Sequence, residues 1–226
     1  MLLDCRVMQL TQSYQHQFSE DIINPYEFAE TRSAAAVLFA SNPSEFNDIV
    51  AVLSSFYLLE TDITDPGGNK SKVAARLDLA FRQLGWREGG YELNMISRLV
   101  QQPWKSAGEN SRSERVTESN SESYKVDNLK ARVALDGEWN AKDGNLSRDL
   151  AAYRVFYEQG IIDCAVLITR TQDGLRALAI EMGAATKFAT TTTTNLTQLL
   201  PLMQRGDAGG CPLLAVAITS RCLKVR

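Results

Sequence analysis

Apolar positions change their spacing several times along the chain, and each change marks an element. From Pro25, the positions Tyr26, Phe28 and Ala29 run into an Ala-rich stretch ending at Phe39 and predict a helix, broken at Asn42-Pro43-Ser44. Ser44 is then expected to cap a second helix whose stripe is Phe46, Ile49, Val50, Leu53 and Tyr57. A third helical stripe, Val73, Leu77, Ala80, Phe81 and Leu84, is closed by Gly85, with Trp86 packing just beyond it. Lys105 to Tyr124 is almost free of apolar residues and reads as a flexible surface loop. It either orders on binding a partner or is a plain solvated excursion.

The pattern sharpens from Val126 to Arg170, which reads as strand, strand, helix, strand. Val133, Ala134 and Leu135 form a short apolar run, and Ile161 to Ile168 form a continuous one, as expected of strands buried on both faces. Between them, Asn145 or Ser147 starts a helix with Leu146, Leu150, Tyr153 and Tyr157 on one side, ending at Gly160. A helix from Leu175 to Met182, a helical turn at Leu199 to Met203 and an apolar strand from Leu213 to Ile218 follow. Strands alternating with helices predict an α/β fold, a central mixed sheet flanked by helices with a mainly helical part before residue 105. The chain is expected to be a single domain over 1–226: a helical part at 1–104, the polar loop at 105–124 and an α/β core at 125–226.

Acid stands where a strand should stay apolar. The run at Val133 ends in Asp136-Gly137-Glu138, and side chains two apart on a strand share a side, so Asp136 and Glu138 should project together. Asp127, at the start of the segment, would join them if the preceding strand folds back. Burying carboxylates together costs several kcal/mol each unless something compensates. Hard oxygen donors suit Mg²⁺.

Composition adds exclusions. Hydrophobic content of 44% with 23% charged residues is that of an ordinary globular protein, and the net charge of −3 does not advertise nucleic-acid binding, although an acidic protein can carry a basic cleft. The four cysteines lack CxxC spacing and there is one histidine, His16, so a zinc site is not expected. Cys164 lies in an apolar strand and reads as a buried free thiol, which fits a reducing cytosol. Neither a signal peptide nor a membrane-spanning run is evident, so a cytoplasmic location is expected. Gly67-Gly68-Asn69-Lys70-Ser71 invites a phosphate-loop reading but lacks the first glycine of G-x-x-x-x-G-K-[ST]. A helix N-terminus touching a DNA phosphate, or a plain loop, fits it better.

The spacing Asp127, Asp136, Glu138, with Trp139 directly after, resembles the metal-binding core of the PD-(D/E)XK nuclease superfamily. More narrowly it is similar to type II restriction endonucleases of the BglII/BamHI/BstYI group. The segments WNAKD after the acids, RDLAAYR at Arg148–Arg154, IIDCAVLITR and GGCPLLAVAI also resemble BglII-type sequences over about 126–218. Asp136 stands where these enzymes usually carry the longer Glu.

The resemblance implies a PD-(D/E)XK restriction-endonuclease-like core and a homodimer cutting a short palindrome in double-stranded DNA with Mg²⁺. A cognate DNA methyltransferase would belong to the same system. Catalysis would fall to Asp127, Asp136 and Glu138, with Asp127 and Asp136 holding the metal. Glu138 would orient or deprotonate the attacking water, or ligate a second ion. Candidate DNA contacts are Asn140, Lys142, Lys187, Thr191, Thr192, Thr193 and Asn195, whose amides, hydroxyls and ammonium groups suit base edges or phosphates. Arg148 and Arg154 are alternatively partners of Asp149 and Glu158 on the helix surface. Rival readings are a structure-selective nuclease and a DNA-binding protein that has lost catalysis. A small-molecule α/β enzyme lacks any cofactor fingerprint.

Overall fold

The computed structural model describes residues 9–65, 71–142 and 144–224. In chain order the elements are short helices α1 (Tyr14–Gln17) and α2 (Glu20–Ile23), strand β1 (Tyr26–Glu30), and helices α3 (Ala34–Ser41), α4 (Pro43–Ser55), α5 (Glu60–Thr64) and α6 (Lys72–Gln83). Strands β2 (Arg87–Gln101), β3 (Ser113–Lys130) and β4 (Val133–Gly137) follow. Helix α7 (Asn145–Glu158), strand β5 (Cys164–Arg170), helices α8 (Asp173–Glu181) and α9 (Leu196–Arg205) and strand β6 (Leu213–Ile218) complete the order. The chain divides into two compact units. One is built from residues up to Gly89 and from Val126 onward; the other is Gly90–Lys125.

Strand order in the sheet is β1-β6-β5-β4-β3-β2. β4, β5 and β6 are parallel neighbours, with Asp136 beside Leu167 and Leu167 beside Ala215. β1 runs antiparallel to β6, and β3 antiparallel to β4 with Asn128 opposite Leu135. The expected mixed sheet flanked by helices is therefore present. The three parallel strands are buried on both faces, as their continuous apolar runs require. On one face Val133, Leu135, Cys164, Val166, Ile168, Leu214 and Val216 join a core with Leu38, Ile49, Leu77 and Phe81. The alternate positions, Ala134, Ala165, Ala215 and Ala217, are small and let α7 and α9 lie close against β5 and β6. Asp136 shares the parity of Ala134, so the fold points it at α7.

Three expectations change. The stretch at Pro25 is not helical throughout: Tyr26–Glu30 is a strand, and Arg32 and Ser33 take positive φ of 55° and 53° before α3 begins. Pairing with β6 decides the outcome, aided by the strand preference of Tyr26 and Phe28. Helix α4 starts two residues earlier than expected, with Asn42 at the N-cap and Pro43 at the first position, where its missing N–H is harmless. The polar stretch 105–124 is not a loop. After a 3-10 turn at Lys105–Ala107 it becomes most of β3, the neighbour of β2.

Residues 90–125 thus form a hairpin unit of their own. Met95, Ile96, Leu99, Trp104 and Val116 are all exposed in it. Arg112 pairs with Glu114 at 2.7 Å, and the Trp104 amide donates to Glu109 Oε2 at 2.7 Å. Strands exposed on both sides need no apolar alternation, which is why the composition reads as loop.

Among the described residues no helix is long and apolar enough to cross a membrane. Cys164, Cys211 and Cys222 are buried free thiols. Gly67 to Lys70, most of the candidate phosphate loop, lie outside the described residues; Ser71 caps α6, accepting from the Ala74 amide at 3.3 Å.

Candidate active site

The site forms where β4 leaves the sheet. Asp136 is the fourth of its five residues, and the ladder continues one step further because the Glu138 amide donates to the Ile168 carbonyl at 2.8 Å. Both acids are therefore fixed by backbone pairing to β5, and both are buried. Their side chains meet residues of α7, so the expectation that they project together holds. Asp127 closes the third side: its amide donates to Asp136 Oδ1 at 2.7 Å. That bond comes from the antiparallel return of β3, the fold-back on which its participation depended.

Helix α7 presents a polar stripe to these acids. Asn145, Asp149 and Tyr153 recur every four residues and so share one helix face. The Tyr153 hydroxyl donates to Asp136 Oδ2 at 2.6 Å, while Asn145 and Asp149 hydrogen-bond the Glu138 carboxyl. Asp149 is itself buried. Arg148 Nη2 lies 3.5 Å from Asp149 Oδ1, one of the surface pairings expected from the sequence, but the arginine is mostly exposed.

The electrostatics follow from this crowding. Burial pushes the Asp136 carboxyl up to about 7; hydrogen bonds from the Asp127 amide and Tyr153 oppose the rise, and the charges of Asp127 and Glu138 add to it. Burial likewise raises Glu138 and Asp149, which sit against each other. Asp127 is raised by desolvation, with Asp78 and Glu88 pushing the same way against Arg148 and Arg82. Asp136, Glu138 and Asp149 thus share a buried region, and the charge of Asp127 weighs on Asp136 and Glu138 from its edge.

A divalent cation answers that surplus. The donors are hard carboxylate oxygens crowded together and away from solvent. Among the described residues no three His, Cys, Asp or Glu side chains form a ready-made cage. Mg²⁺, however, is commonly held by one or two carboxylates with water and phosphate completing its shell.

The candidate DNA contacts separate into two groups. Asn140, at a positive φ of 57°, turns its side-chain carbonyl to Arg170 Nε at 2.6 Å, and Thr193 accepts from Arg170 Nη2 at 2.8 Å. Arg170 is fully buried, donates also to Gln172 Oε1 at 2.6 Å, and lies over the Phe188 ring at 4.9 Å. Asn195 is the N-cap of α9, accepting from the Gln198 amide at 3.0 Å. Lys187 donates to the Asp65 carbonyl. These four are thus engaged in hydrogen bonds within the fold.

Lys142, Thr191 and Thr192 are exposed. Lys142 and Thr192 line a cleft of about 90 Å³ with Gly144, Ser147 and Gln198 at the N-terminus of α7. The segments on either side are zipped together, since Thr194 Oγ1 accepts from the Ala141 amide at 3.0 Å and its own amide donates back to Ala141 at 3.2 Å.

Sequence reasoning missed Asn145, Asp149 and Tyr153 as a unit. Their four-residue spacing was the available signal, masked because Tyr153 also fits the apolar stripe and Asp149 pairs plausibly with Arg148.

A mixed α/β sheet with acids at the C-terminal end of a parallel strand is consistent with a restriction endonuclease fold. The family model for restriction endonuclease BglII/BglIII matches residues 26–218, and the chain belongs to that family. Membership makes it a nuclease that binds DNA. No curated protein matches the chain at a significant level.

Proposed function

We propose that this chain is a Mg²⁺-dependent type II restriction endonuclease that cuts a short palindromic site in double-stranded DNA. It acts as a homodimer, because two-fold protein symmetry mirrors a two-fold site, and works in the cytoplasm beside a cognate methyltransferase. The observation that carries this reading is the backbone bond from Asp127 to Asp136 Oδ1, which brings the acids of two strands together in a chain of this family.

Asp127 and Asp136 are the residues that would hold the metal. A bound divalent ion lowers the pKa of its water and neutralises charge on the scissile phosphate. Glu138 takes the proton of the attacking water, held in place by Asn145 and by its backbone bond to Ile168. Tyr153 fixes the rotamer of Asp136, so the shorter acid stays aimed at one point. Lys142 and Thr192 meet backbone phosphates at the mouth of the α7 cleft.

Digestion of a plasmid panel with Mg²⁺ tests the proposal. Discrete fragments that vanish with chelator, in Asp127→Ala and in Glu138→Ala are expected. A folded native protein that cuts nothing, even with Mn²⁺, overturns it. Metal-dependent binding without cleavage would then favour the second reading, a DNA-binding protein. The observation behind that reading is that both Asp136 oxygens already accept hydrogen bonds.

A further inference from the structure

Strand β2 ends the sheet, and among the described residues nothing pairs with its outer edge. An open edge is a row of unpaired N–H and C=O groups, which proteins blunt with proline, lysine or a short strand. β2 uses none of these. It is 15 residues long, and from Tyr91 to Gln101 it contains neither proline nor lysine. Met95, Ile96, Leu99 and Val100 are exposed along it. The strand belongs to a two-stranded ribbon with little interior, and such a ribbon gains independent stability only when further strands join it.

Charge indicates what joins. Glu92 and Arg98 are the only ionisable acid and base from residue 91 to 101. They cancel, so this edge has no positive excess to attract duplex DNA. The two are six residues apart, an even spacing that puts them on one face of the strand. Arg98 is mostly exposed, and its pairing with Glu114 on β3 is long, at 3.8 Å. An antiparallel copy of the same strand, paired about Met95, sets Glu92 opposite the partner's Arg98 and Arg98 opposite the partner's Glu92. Moving the centre one residue either way leaves all four charges opposite neutral residues. One two-fold register is therefore favoured over its neighbours.

We propose that the open edge of β2 is an interaction surface for a second copy of this chain, and that the two β2 strands pair antiparallel about Met95 into a four-stranded sheet. The contact is isologous, since the same stretch serves both subunits. Ile96 then stands opposite the partner's Asn94, and Ser97 opposite the partner's Leu93. Lys105, Arg112 and Arg115 lie outside the paired stretch. The inference rests on the homodimer reading and deepens it by naming the contact surface.

Sedimentation equilibrium of the full chain without DNA tests this. The native protein is expected to be a dimer. Met95→Lys puts two like charges on the two-fold axis and should weaken the dimer about tenfold or more. Glu92→Arg and Arg98→Glu should each weaken it by about tenfold, because symmetry counts each repulsion twice, and the two combined should return it to within about threefold of native. All these positions are exposed, so thermal melting at a concentration where every variant is monomeric should match native. A monomeric native protein overturns the proposal. So does a dimer that Met95→Lys and both charge variants leave unchanged, although that result keeps the homodimeric nuclease reading with its interface elsewhere. Monomers whose ribbon duplex DNA shields from trypsin would overturn it in favour of a DNA contact.

Discussion

Tyr153 and Asp136 are joined by a 2.6 Å hydrogen bond between α7 and the end of β4, inside a region closed to solvent. The bond supports the ionised acid, one of two hydrogen bonds that counter the effect of burial. Tyr153→Phe removes the donor without changing the packing. Asp136 then ionises at higher pH, and a lost hydrogen bond to a charged group corresponds to roughly tenfold in an equilibrium. Cleavage at pH 7 should fall by about that factor and recover toward native by pH 9. A pH–rate profile displaced equally at all pH values would refute the assignment.

Glu138→Gln keeps the shape of the side chain and the bond available to Asn145, but removes the proton acceptor. Cleavage should drop by about 100-fold or more, while DNA affinity in a gel-shift assay with Ca²⁺ holds or tightens. Unchanged cleavage would remove Glu138 from the chemistry.

Stability without metal should carry the signature of a raised carboxyl. Asp136 ionises near 3.8 when unfolded and at about 7 when folded, so the native state holds the extra proton between those values. Its stabilising contribution is fully present below about pH 4 and is lost as pH rises through about 7. In chelator, the melting temperature of native protein should fall relative to Asp136→Asn by several degrees between pH 5 and pH 8. A parallel course for the two proteins would show that the burial has no energetic consequence.

Arg170 joins Asn140, Gln172 and Thr193 from a fully buried position. Burial lowers its pKa to about 10, which still leaves it charged at neutral pH. A lysine cannot reproduce the fork, so Arg170→Lys should lose about 2–4 kcal/mol in urea unfolding. It should also weaken DNA binding through the Thr190–Asn195 segment. A loss below about 0.5 kcal/mol would mean that the loops are held elsewhere.

The hairpin unit has exposed apolar side chains and little interior, and an isolated two-stranded ribbon is marginally stable. Limited trypsin digestion of the free protein should therefore cut first at Arg98, Lys105, Arg112 or Arg115. First cuts at Arg148 or Arg205 would contradict this ranking.

Much of the site was legible because β4 and β5 are buried on both faces. A continuous apolar run interrupted by Asp136 and Glu138 is conspicuous in a way that an exposed acid is not. Asp149 and Asn145 were not legible, since near a helix start they read as solvated or capping residues, and only the sheet beneath gives them a function. β1 was misread as helix because its pairing partner is nearly the whole chain away. The hairpin escaped because strands exposed on both sides lack the alternation that burial imposes. Asn140, Thr193 and Asn195 have the chemistry of DNA contacts, and their sequence gives no sign that folding also brings a buried arginine and a helix end within their reach.

The pairing of β1 with β6, Tyr26 opposite Ile218, also has a consequence for synthesis. β1 is made long before β6, its neighbour in the sheet, and β5 waits for the same partner. Contacts of such sequence separation form late. A nascent chain carrying Asp127, Asp136 and Glu138 therefore lacks the completed sheet that holds them in place. A chain stopped before β6 is made lacks the sheet on which the acids are arranged, and is expected to be harmless to the DNA around it.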